Sequence, residues 1–307
     1  MANSISTMAQ TFLGYNVPAI AAELDALQPV YPGISPFDAF SVVFKGADMP
    51  VGIQSVVIPI ATYPTASLSQ LSGPVFMDAT TTGITVTLDD DTGVLYKFNN
   101  VEAHNLGIPL LVKTFLQPAI YGIERSLLSA SLAAGIGGIN SSSLHVPAVT
   151  SFSGSTVAQI GGALAAANIK PEFIMASNAS FWNLIGDLSN RGNAAGADAL
   201  LRGTGMNNPF GISIIGTNLL PSLTGSFGNN TVTAIAGQRG WAVLATALPD
   251  VTHANGEAFA YTSPRSNLSV LVEQYYDESR RAHVIGATVL FKAVAGVPGA
   301  AVAITTS

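Results

Sequence analysis

The chain has 307 residues, of which 48% are hydrophobic, so it can bury a substantial core and is not a disordered chain. Only 10% are Asp, Glu, Lys or Arg, against roughly 25% in an ordinary soluble protein. A monomer so poor in charge would tend to self-associate. With a mean hydropathy of +0.42, three classes stay open: a membrane protein, a secreted β-rich protein, or a subunit covered by copies of itself.

Several functions are disfavoured by the same composition. A membrane span needs about 20 successive apolar residues, and Gly, Pro, Ser, Asn or a charge interrupts every apolar stretch sooner. No Lys or Arg precedes Lys45, so a secretory signal is not expected. The chain has no Cys, which excludes disulfides and thiolate metal sites, and its net charge of -6 gives no basis for gripping nucleic acid.

The first part of the chain reads as an arm. Residues 1–45 hold apolar residues without a steady period and with frequent prolines, which predicts an extended segment with one short helix, Val17 to Leu27. A β-branched run from Gln54 to Ile60 predicts a strand, and a Thr/Ser/Gly-rich stretch follows it to Gly83.

A long two-stranded projection is predicted next. Apolar residues alternate with polar ones over residues 84–88 and again over 94–98. The residues between them, Asp89 to Gly93, have turn chemistry. The two alternating segments are therefore expected to pair with each other as one hairpin.

A long amphipathic helix should follow the hairpin. Between Ile108 and Ala134 apolar residues recur at every third or fourth position. Pro118 should kink this helix, because proline lacks an N–H and its ring clashes with the preceding turn. The glycines at 135, 137 and 138 are expected to stop it.

The second half mixes short helices with strands. A helix is predicted after residues 153–156, whose serines and Thr156 are the N-cap candidates, and it runs to Ala167. Phe173 to Ala176 reads as a buried strand, and Asn178 should cap a third helix. After a Gly/Ala/Asn-rich loop from Leu188 to Asn208, the remaining strands are Gly211–Ile215, Thr231–Ala236, Trp241–Ala245, Ser269–Gln274 and Ala282–Val294. The predicted class is α+β with several separate sheets.

Two acidic patterns near the predicted hairpin could carry chemistry. Asp91-Thr92-Gly93 matches the tripeptide of aspartic proteases, but the sequence holds no second copy, and a hairpin turn is the favoured interpretation. A group of five acidic or imidazole side chains could in principle collect around a divalent cation, but solvated turn carboxylates are favoured. These five are Asp89, Asp90, Asp91, Glu102 and His104.

Other catalytic signatures are weak. The Gly run from Gly135 to Asn140 begins like a dinucleotide fingerprint, but it follows a helix and lacks the last Gly, so a helix stop is favoured. No G-x-S-x-G elbow occurs. The cluster Asp277, Glu278, Arg280 and Arg281 is interpreted as the solvated tip of a hairpin rather than an inter-subunit salt-bridge patch. We therefore predict no catalytic, metal or cofactor site.

The order of the predicted elements resembles a known family. An arm, a strand, a projecting hairpin, a long helix, a helix-strand-helix unit and a strand-rich close are the order of the tailed-bacteriophage major capsid proteins with the Hong-Kong-97-type fold. Residues 169–178, followed by Phe181-Trp182, are similar to the family's helix-strand-helix passage, and residues 208–221 to its segment near the capsomer axis. The resemblance spans nearly the whole chain.

The resemblance implies a division of the chain into five parts. They are an N-terminal arm (1–50), an extended loop with flanking strands (51–104), a peripheral domain with the spine helix (105–154), an axial domain (155–252), and returning peripheral-domain strands with the C-terminus (253–307). Inter-subunit contacts are then expected in the arm, the extended loop and the capsomer centre. The predicted contact residues are Phe12, Tyr15, Tyr63, Leu68, Leu71, Phe76, Asp187, Arg191, Asp198 and Arg202.

The function implied is that of a structural, non-enzymatic major capsid protein that self-assembles into pentamers and hexamers of an icosahedral head around phage double-stranded DNA. Expected partners are a scaffolding protein, a portal and a decoration protein, with DNA held without sequence specificity and no membrane. The expected location is the virion, after assembly in the host cytoplasm.

Two features depart from parts of the family. The loop tip from Ala61 to Gly83 has no Lys, so a Lys–Asn cross-link between subunits is not expected there, and the N-terminus does not match a charge-rich scaffolding segment. A separate scaffolding protein, or none, follows. The alternatives are a protein nanocompartment shell of the same fold and a secreted or surface β-rich adhesin, although an adhesin usually shows repeats or an export signal.

Overall fold

The chain is an α+β protein, as predicted. The computed structural model describes residues 11–12, 15–27, 35–46, 55–61, 81–98, 108–139, 145–146, 152–166, 169, 171–190, 212–220, 232–249, 256–264, 266–297 and 299–305. Its helices are α1 (Val17–Leu27), α2 (Ile108–Leu111), α3 (Gln117–Gly138), α4 (Gly154–Ala166) and α5 (Asn178–Asn190). A π-helical turn, Val112–Leu116, joins α2 to α3, so residues 108–138 form one long helix, and Pro36–Ala39 is a 3-10 turn.

Fifteen strands lie within the described residues. Those of the first half are β1 (Thr11–Phe12), β2 (Tyr15–Asn16), β3 (Ser41–Gly46), β4 (Ser55–Ala61), β5 (Thr81–Thr87), β6 (Asp90–Phe98) and β7 (His145–Val146). Those of the second half are β8 (Phe173–Ser177), β9 (Ser213–Thr217), β10 (Val232–Gly237), β11 (Ala242–Ala247), β12 (Glu257–Thr262), β13 (Ser269–Asp277), β14 (Ala282–Ala295) and β15 (Ala301–Thr305).

The larger sheet has six strands built around β14. Its order is β12-β13-β14-β11-β3, and β6 pairs with β14 as well. All residues of β14 that pair with β6, except Val289, also pair with either β13 or β11, so β6 must lie along the opposite edge. The long helix covers one face of this sheet, where Ile123, Leu127 and Leu132 are completely buried.

The second sheet has five strands in the order β7-β15-β10-β8-β9. Helices α4 and α5 cover one face, through a core that includes Ile160 and Leu184. The opposite face, with Met175 and Ile235, belongs to the core that the long helix and the six-stranded sheet share. Because both faces are covered, its central strands are apolar at almost every position, as is typical of a sheet buried on both sides.

The chain crosses between the two sheets three times: through the long helix between β6 and β7, and directly between β10 and β11 and between β14 and β15. Backbone hydrogen bonds tie the two direct crossings together: Gly296 N–H donates to Trp241 O at 2.9 Å, and Gln238 N–H donates to Ala300 O at 3.0 Å. The buried ring of Trp241 stacks on Phe40, with ring centroids 5.5 Å apart. Its indole N–H donates to the carbonyl oxygen of residue 39 at 3.0 Å. The junction is therefore a packed, hydrogen-bonded part of the core.

The predicted hairpin between residues 84–88 and 94–98 is wrong. Strand β5 pairs with β4, and β6 pairs with β14, so the two alternating segments belong to different sheets. Tyr96 and Phe98 pack edge-on against Phe115 of the long helix. Alternation marks a strand with one buried face, but it does not identify the neighbouring strand.

The interpretation of Asp91-Thr92-Gly93 as a hairpin turn is also wrong. Thr92 and Gly93 lie inside β6, opposite Val289 and Thr288, and only residues 88–89 separate β5 from β6. Asp91 is therefore a strand residue with an exposed side chain.

The long helix ends at Gly138, the last of the three glycines predicted to stop it. A Cβ atom at Gly135 would overlap the Trp241 ring, and one at Gly138 would lie 2.5 Å from the Cβ of Ala295. These glycines allow the helix to lie close against β11 and β14. Gly135 and Gly138 therefore also make a tertiary contact, which the sequence did not indicate.

The remaining helix predictions are largely confirmed. Helix α1 has the predicted bounds. Before Pro118 the long helix contains the π turn, in which Gln117 N–H donates to Val112 O, five residues back, and the kink at Pro118 stays a prediction. Helix α5 begins where predicted, but its cap is Ser177, whose Oγ accepts from Ser180 N–H at 3.2 Å, rather than Asn178.

Candidate assembly surfaces

Strands β4 and β5 form a two-stranded sheet, here called the arm sheet. It lies in the predicted extended loop, residues 51–104, and not in the N-terminal arm. They pair from Ser55 opposite Thr87 to Ala61 opposite Thr81, and neither pairs with a further strand in the described part of the chain. An isolated two-stranded sheet is marginally stable in water. The arm sheet therefore has edges available for another chain.

The base of the arm sheet packs on the six-stranded sheet. Val86 is completely buried in a small satellite core, on the face opposite the long helix. The other members of this core are Ile84, Leu88, Val243, Ala245 and Val294. The neighbouring side chains Thr85 and Thr87 are exposed, so only one side of the arm sheet is anchored.

Lys292 in β14 holds the connection between the arm sheet and β6. Its Nζ lies 2.6 Å from Asp89 Oδ1 and 2.9 Å from Asp90 Oδ2. The hydrogen bond from Lys292 lowers the pKa of Asp89, and the two carboxylates raise the pKa of Lys292. These carboxylates, predicted to be simply solvated, are exposed but ion-paired.

The helix of the predicted N-terminal arm is anchored on the body. Ile20 and Leu24 of α1 are completely buried in the core shared with the long helix. Tyr261 Oη donates to Asp25 Oδ1 at 2.8 Å. Burial and the bond to Asp25 raise the pKa of Tyr261 well above the ordinary tyrosine value. Helix α1 is thus fixed by both apolar and polar contacts.

A cleft of about 220 Å³ lies where the long helix, the 3-10 turn and the end of β9 meet. Glu124 is only 7% exposed there, and its Oε1 accepts from Ser266 Oγ at 2.5 Å. Phe37 and Leu128 provide apolar walls, and Arg125 is exposed in the same lining. The cleft therefore combines one buried carboxylate with apolar surface.

The β13–β14 hairpin ends in a charged tip, as predicted. Asp277 Oδ1 accepts hydrogen bonds from the Ser279 hydroxyl at 2.5 Å and from Arg280 N–H at 3.2 Å, and Arg280 forms an ion pair with Asp277 at 3.3 Å. The Ser279 hydroxyl is the main cause that lowers the pKa of Asp277. Arg281 has a left-handed φ of 47° that closes the turn. Two of the four predicted charges are thus paired within the tip.

Three of the ten predicted contact residues lie in the described part of the chain. Phe12 and Tyr15 are paired opposite each other in β1 and β2. Asp187 accepts a hydrogen bond from Gly154 N–H at 3.0 Å and so joins α5 to the start of α4. The others lie outside the described residues: Tyr63, Leu68, Leu71, Phe76, Arg191, Asp198 and Arg202. Contacts of all ten with other copies stay predictions.

Exposed apolar side chains were missed by sequence reasoning. Trp182 is 49% exposed on α5, beside the buried Phe181, and Tyr121 is 53% exposed on the long helix. Further examples are Leu95, Leu110 and Tyr276. Tyr276 lies beyond the predicted strand. The other four lie on outward faces of predicted elements, which was a usable signal, because each falls outside the buried period of its helix or strand.

In the described part of the chain, no arrangement of side chains supports the hydrolytic, metal or nucleotide patterns that the sequence raised. Asp91 is exposed in a strand, and within the described ranges no three His, Asp or Glu side chains gather around a common point. Gly135 and Gly138 pack inside a helix. Among the described helices none is both long and apolar enough to traverse a bilayer.

No protein-family model matches the sequence. A comparison with curated proteins also gives no match. Solved structures do match along the chain. One from Mycobacterium phage Che8 aligns over 91% of this chain and 94% of its own, with a TM-score of 0.53 and 14% identity. The capsid structure of Cyanophage P-SCSP1u aligns over 92% and 90%, with a TM-score of 0.52 and 12% identity.

This chain has the Hong-Kong-97-type capsid fold. The predicted resemblance is thereby confirmed at the level of the fold. The holo-SrpI encapsulin complex from Synechococcus elongatus PCC 7942 also aligns, over 94% of both chains, with a TM-score of 0.51 and 9% identity. The fold is therefore shared by phage capsids and by an encapsulin.

Proposed function

We propose that this chain is the major capsid protein of a tailed bacteriophage, a structural subunit that assembles into pentamers and hexamers of an icosahedral head. The observation that carries the proposal is the capsid fold, which extends over more than nine-tenths of the chain. The arm sheet supports it, because neither of its strands pairs with a third strand in the described part of the chain, and a neighbour could supply one. The low charge of the chain suits a surface that is mostly covered by other copies.

The proposed organisation follows the family. Residues 51–104 would be the extended loop, residues 105–154 with 253–307 the peripheral domain, and residues 155–252 the axial domain. Scaffolding, portal and decoration proteins would be the partners, and the packaged DNA would be held without sequence-specific contacts. The proposed role involves no catalysis, and the proposed location is the virion after assembly in the host cytoplasm.

A nanocompartment shell is the second candidate. The encapsulin aligns with this chain over as large a fraction as the phage capsids do. A phage head would enclose DNA, whereas a nanocompartment would enclose protein cargo. The contents of the shell therefore separate the two candidates.

The test is expression of the full chain, alone and together with its genomic neighbours, followed by size-exclusion chromatography and negative-stain microscopy. Closed shells, or pentamers and hexamers that close when a partner is added, are the expected result. Nuclease-protected DNA in shells isolated from infected cells would support the phage head, and a co-purifying protein cargo would favour the nanocompartment. A stable monomer under every condition would overturn both.

A further inference from the structure

The arm sheet joins the body through a very short connection. Only Leu88 and Asp89 separate the end of β5 from the start of β6. Rotation about a few backbone bonds in these two residues would change the angle between the arm sheet and the body. That angle therefore depends on the side-chain contacts at the base of the arm sheet.

Apolar contact alone does not fix that angle. Val86 and its neighbours in the satellite core touch mostly small side chains, Val243, Ala245 and Val294. Hydrophobic contact is not directional. A patch of this size can dock the arm sheet, but it does not by itself set the angle of the sheet.

Lys292 makes a directional contact that the apolar patch lacks. It lies directly opposite Ala245 in the register of β14 and β11, and two residues before Val294, so its side chain leaves the same face as the satellite core. From there it reaches Asp89 within the connection and Asp90 at the start of β6. One ammonium group thus binds the last residue of the connection and the first residue of β6, at a point beside the apolar contact.

We propose that Lys292 is a positioning residue that fixes the angle at which the arm sheet leaves the body, and so presets how a second copy of the chain meets it. The inference rests on the proposed function, because a defined arm angle matters where identical copies must repeat one contact around a closed shell. The Lys292 contacts exist within a single copy and are therefore available before assembly.

The test measures the arm angle directly. The chain has no Cys, so cysteines introduced by T85C on β5 and S126C on α3, both at exposed positions, can carry two spin labels without background. Labelled chain is diluted into unlabelled chain, and the label–label distance is measured by double electron–electron resonance in the K292Q and unsubstituted backgrounds. We expect K292Q to broaden the distance distribution and shift its centre.

A matched control removes the same charge elsewhere. Lys97 is exposed at the other end of β6, away from Asp89 and Asp90, so K97Q should leave the distribution unchanged. Raising the ionic strength offers a second measurement on the unsubstituted chain, because exposed ion pairs are screened by salt. Salt should broaden its distribution and leave that of K292Q unaffected.

The inference is overturned if K292Q keeps the unsubstituted distribution, or if K97Q broadens it equally. Shell assembly is read separately by electron microscopy, where K292Q should give shells of more variable diameter. A stable monomer of the unsubstituted chain, alone and with its genomic neighbours, would overturn the proposed function, whereas normal shells with an unchanged arm angle in K292Q would overturn only the role of Lys292.

Discussion

The five-stranded sheet and the two-stranded arm sheet of the same chain differ in how they are covered. In the five-stranded sheet, Ile174 faces helices α4 and α5, and its neighbour Met175 faces the core shared with the long helix, so both are completely buried. In the arm sheet, Val86 is completely buried, but the adjacent Thr85 and Thr87 are exposed. The first sheet is completed within one copy, whereas the second is only attached at its base.

This difference in coverage indicates that the five-stranded sheet serves folding of the single chain, whereas the arm sheet is suited to assembly. Burial on both faces contributes most of the stability of a domain, so the body should fold as a single copy. Among its described side chains the arm sheet completely buries only Val86, and it leaves strand edges that another copy could cover. Substitutions in the five-stranded sheet should therefore mainly lower the free energy of unfolding. Substitutions in the arm sheet should mainly change assembly.

The largest effect on stability is expected from I174A in the five-stranded sheet. Removing a fully buried side chain that the packed surroundings cannot replace lowers the free energy of unfolding by about 2–5 kcal/mol. Denaturant unfolding followed by far-UV circular dichroism measures this loss. A change as small as that of an exposed residue would show that the sheet is not packed on both faces.

The next effect concerns the contact between the long helix and the inter-sheet junction. G135A should lower the free energy of unfolding by about 1–3 kcal/mol, because its methyl group would overlap the Trp241 ring and force the packing to shift. The matched control is G137A, since nothing lies within 4 Å of a Cβ atom there. It should raise stability slightly, because alanine favours the helix over glycine. Equal effects of the two substitutions in denaturant unfolding would contradict the close contact.

A smaller effect is expected from Y261F, which removes the hydrogen bond to Asp25 and should cost about 1 kcal/mol. The pKa of Tyr261 is raised in the folded chain, so its contribution is complete below the ordinary value of 10.0 and is lost as the pH rises through the folded value. Unfolding free energy measured from pH 8 to pH 11 should fall more steeply in the unsubstituted chain than in Y261F. Parallel curves would exclude this role for Tyr261.

The smallest effect on global unfolding is expected from V86T in the arm sheet. A hydroxyl in the satellite core weakens docking of the arm sheet, but the loss cannot exceed the free energy of that docking. Hydrogen exchange should accelerate at the amides of residues 55–61 and 81–87 while the unfolding midpoint stays nearly unchanged. A drop in stability like that of I174A would show that the arm sheet belongs to the main core.

The elements of this fold were largely readable from the sequence. Helix α1, the long helix and the buried strand at residues 173–177 were predicted because their apolar periods, caps and breakers lie close together along the chain. Strands β12 and β15 were missed. In β15 every side chain is buried, so its short apolar run has no alternation to mark it.

The resemblance to the capsid family also came from the sequence, through the order of elements rather than from any single motif. That order survives when residues change, because the fold requires buried faces of a given period and not particular side chains. The order of elements does not identify individual contact residues, so the predicted contact residues were placed only by their position in the chain. Asp187 shows the limit, because its carboxylate bonds to Gly154 within the same chain.

Only the tertiary structure decided which strand pairs with which and which small residues lie in contacts. The sequence could not show that β5 pairs with β4 while β6 joins β14, because alternation fixes the face of a strand and not its neighbour. It could not show that Gly135 makes room for Trp241, or that Lys292 reaches Asp89 and Asp90 across about two hundred residues. Composition and periodicity determined the elements, whereas long-range packing determined the surfaces they form, since packing depends on residues that the chain brings together only when it folds.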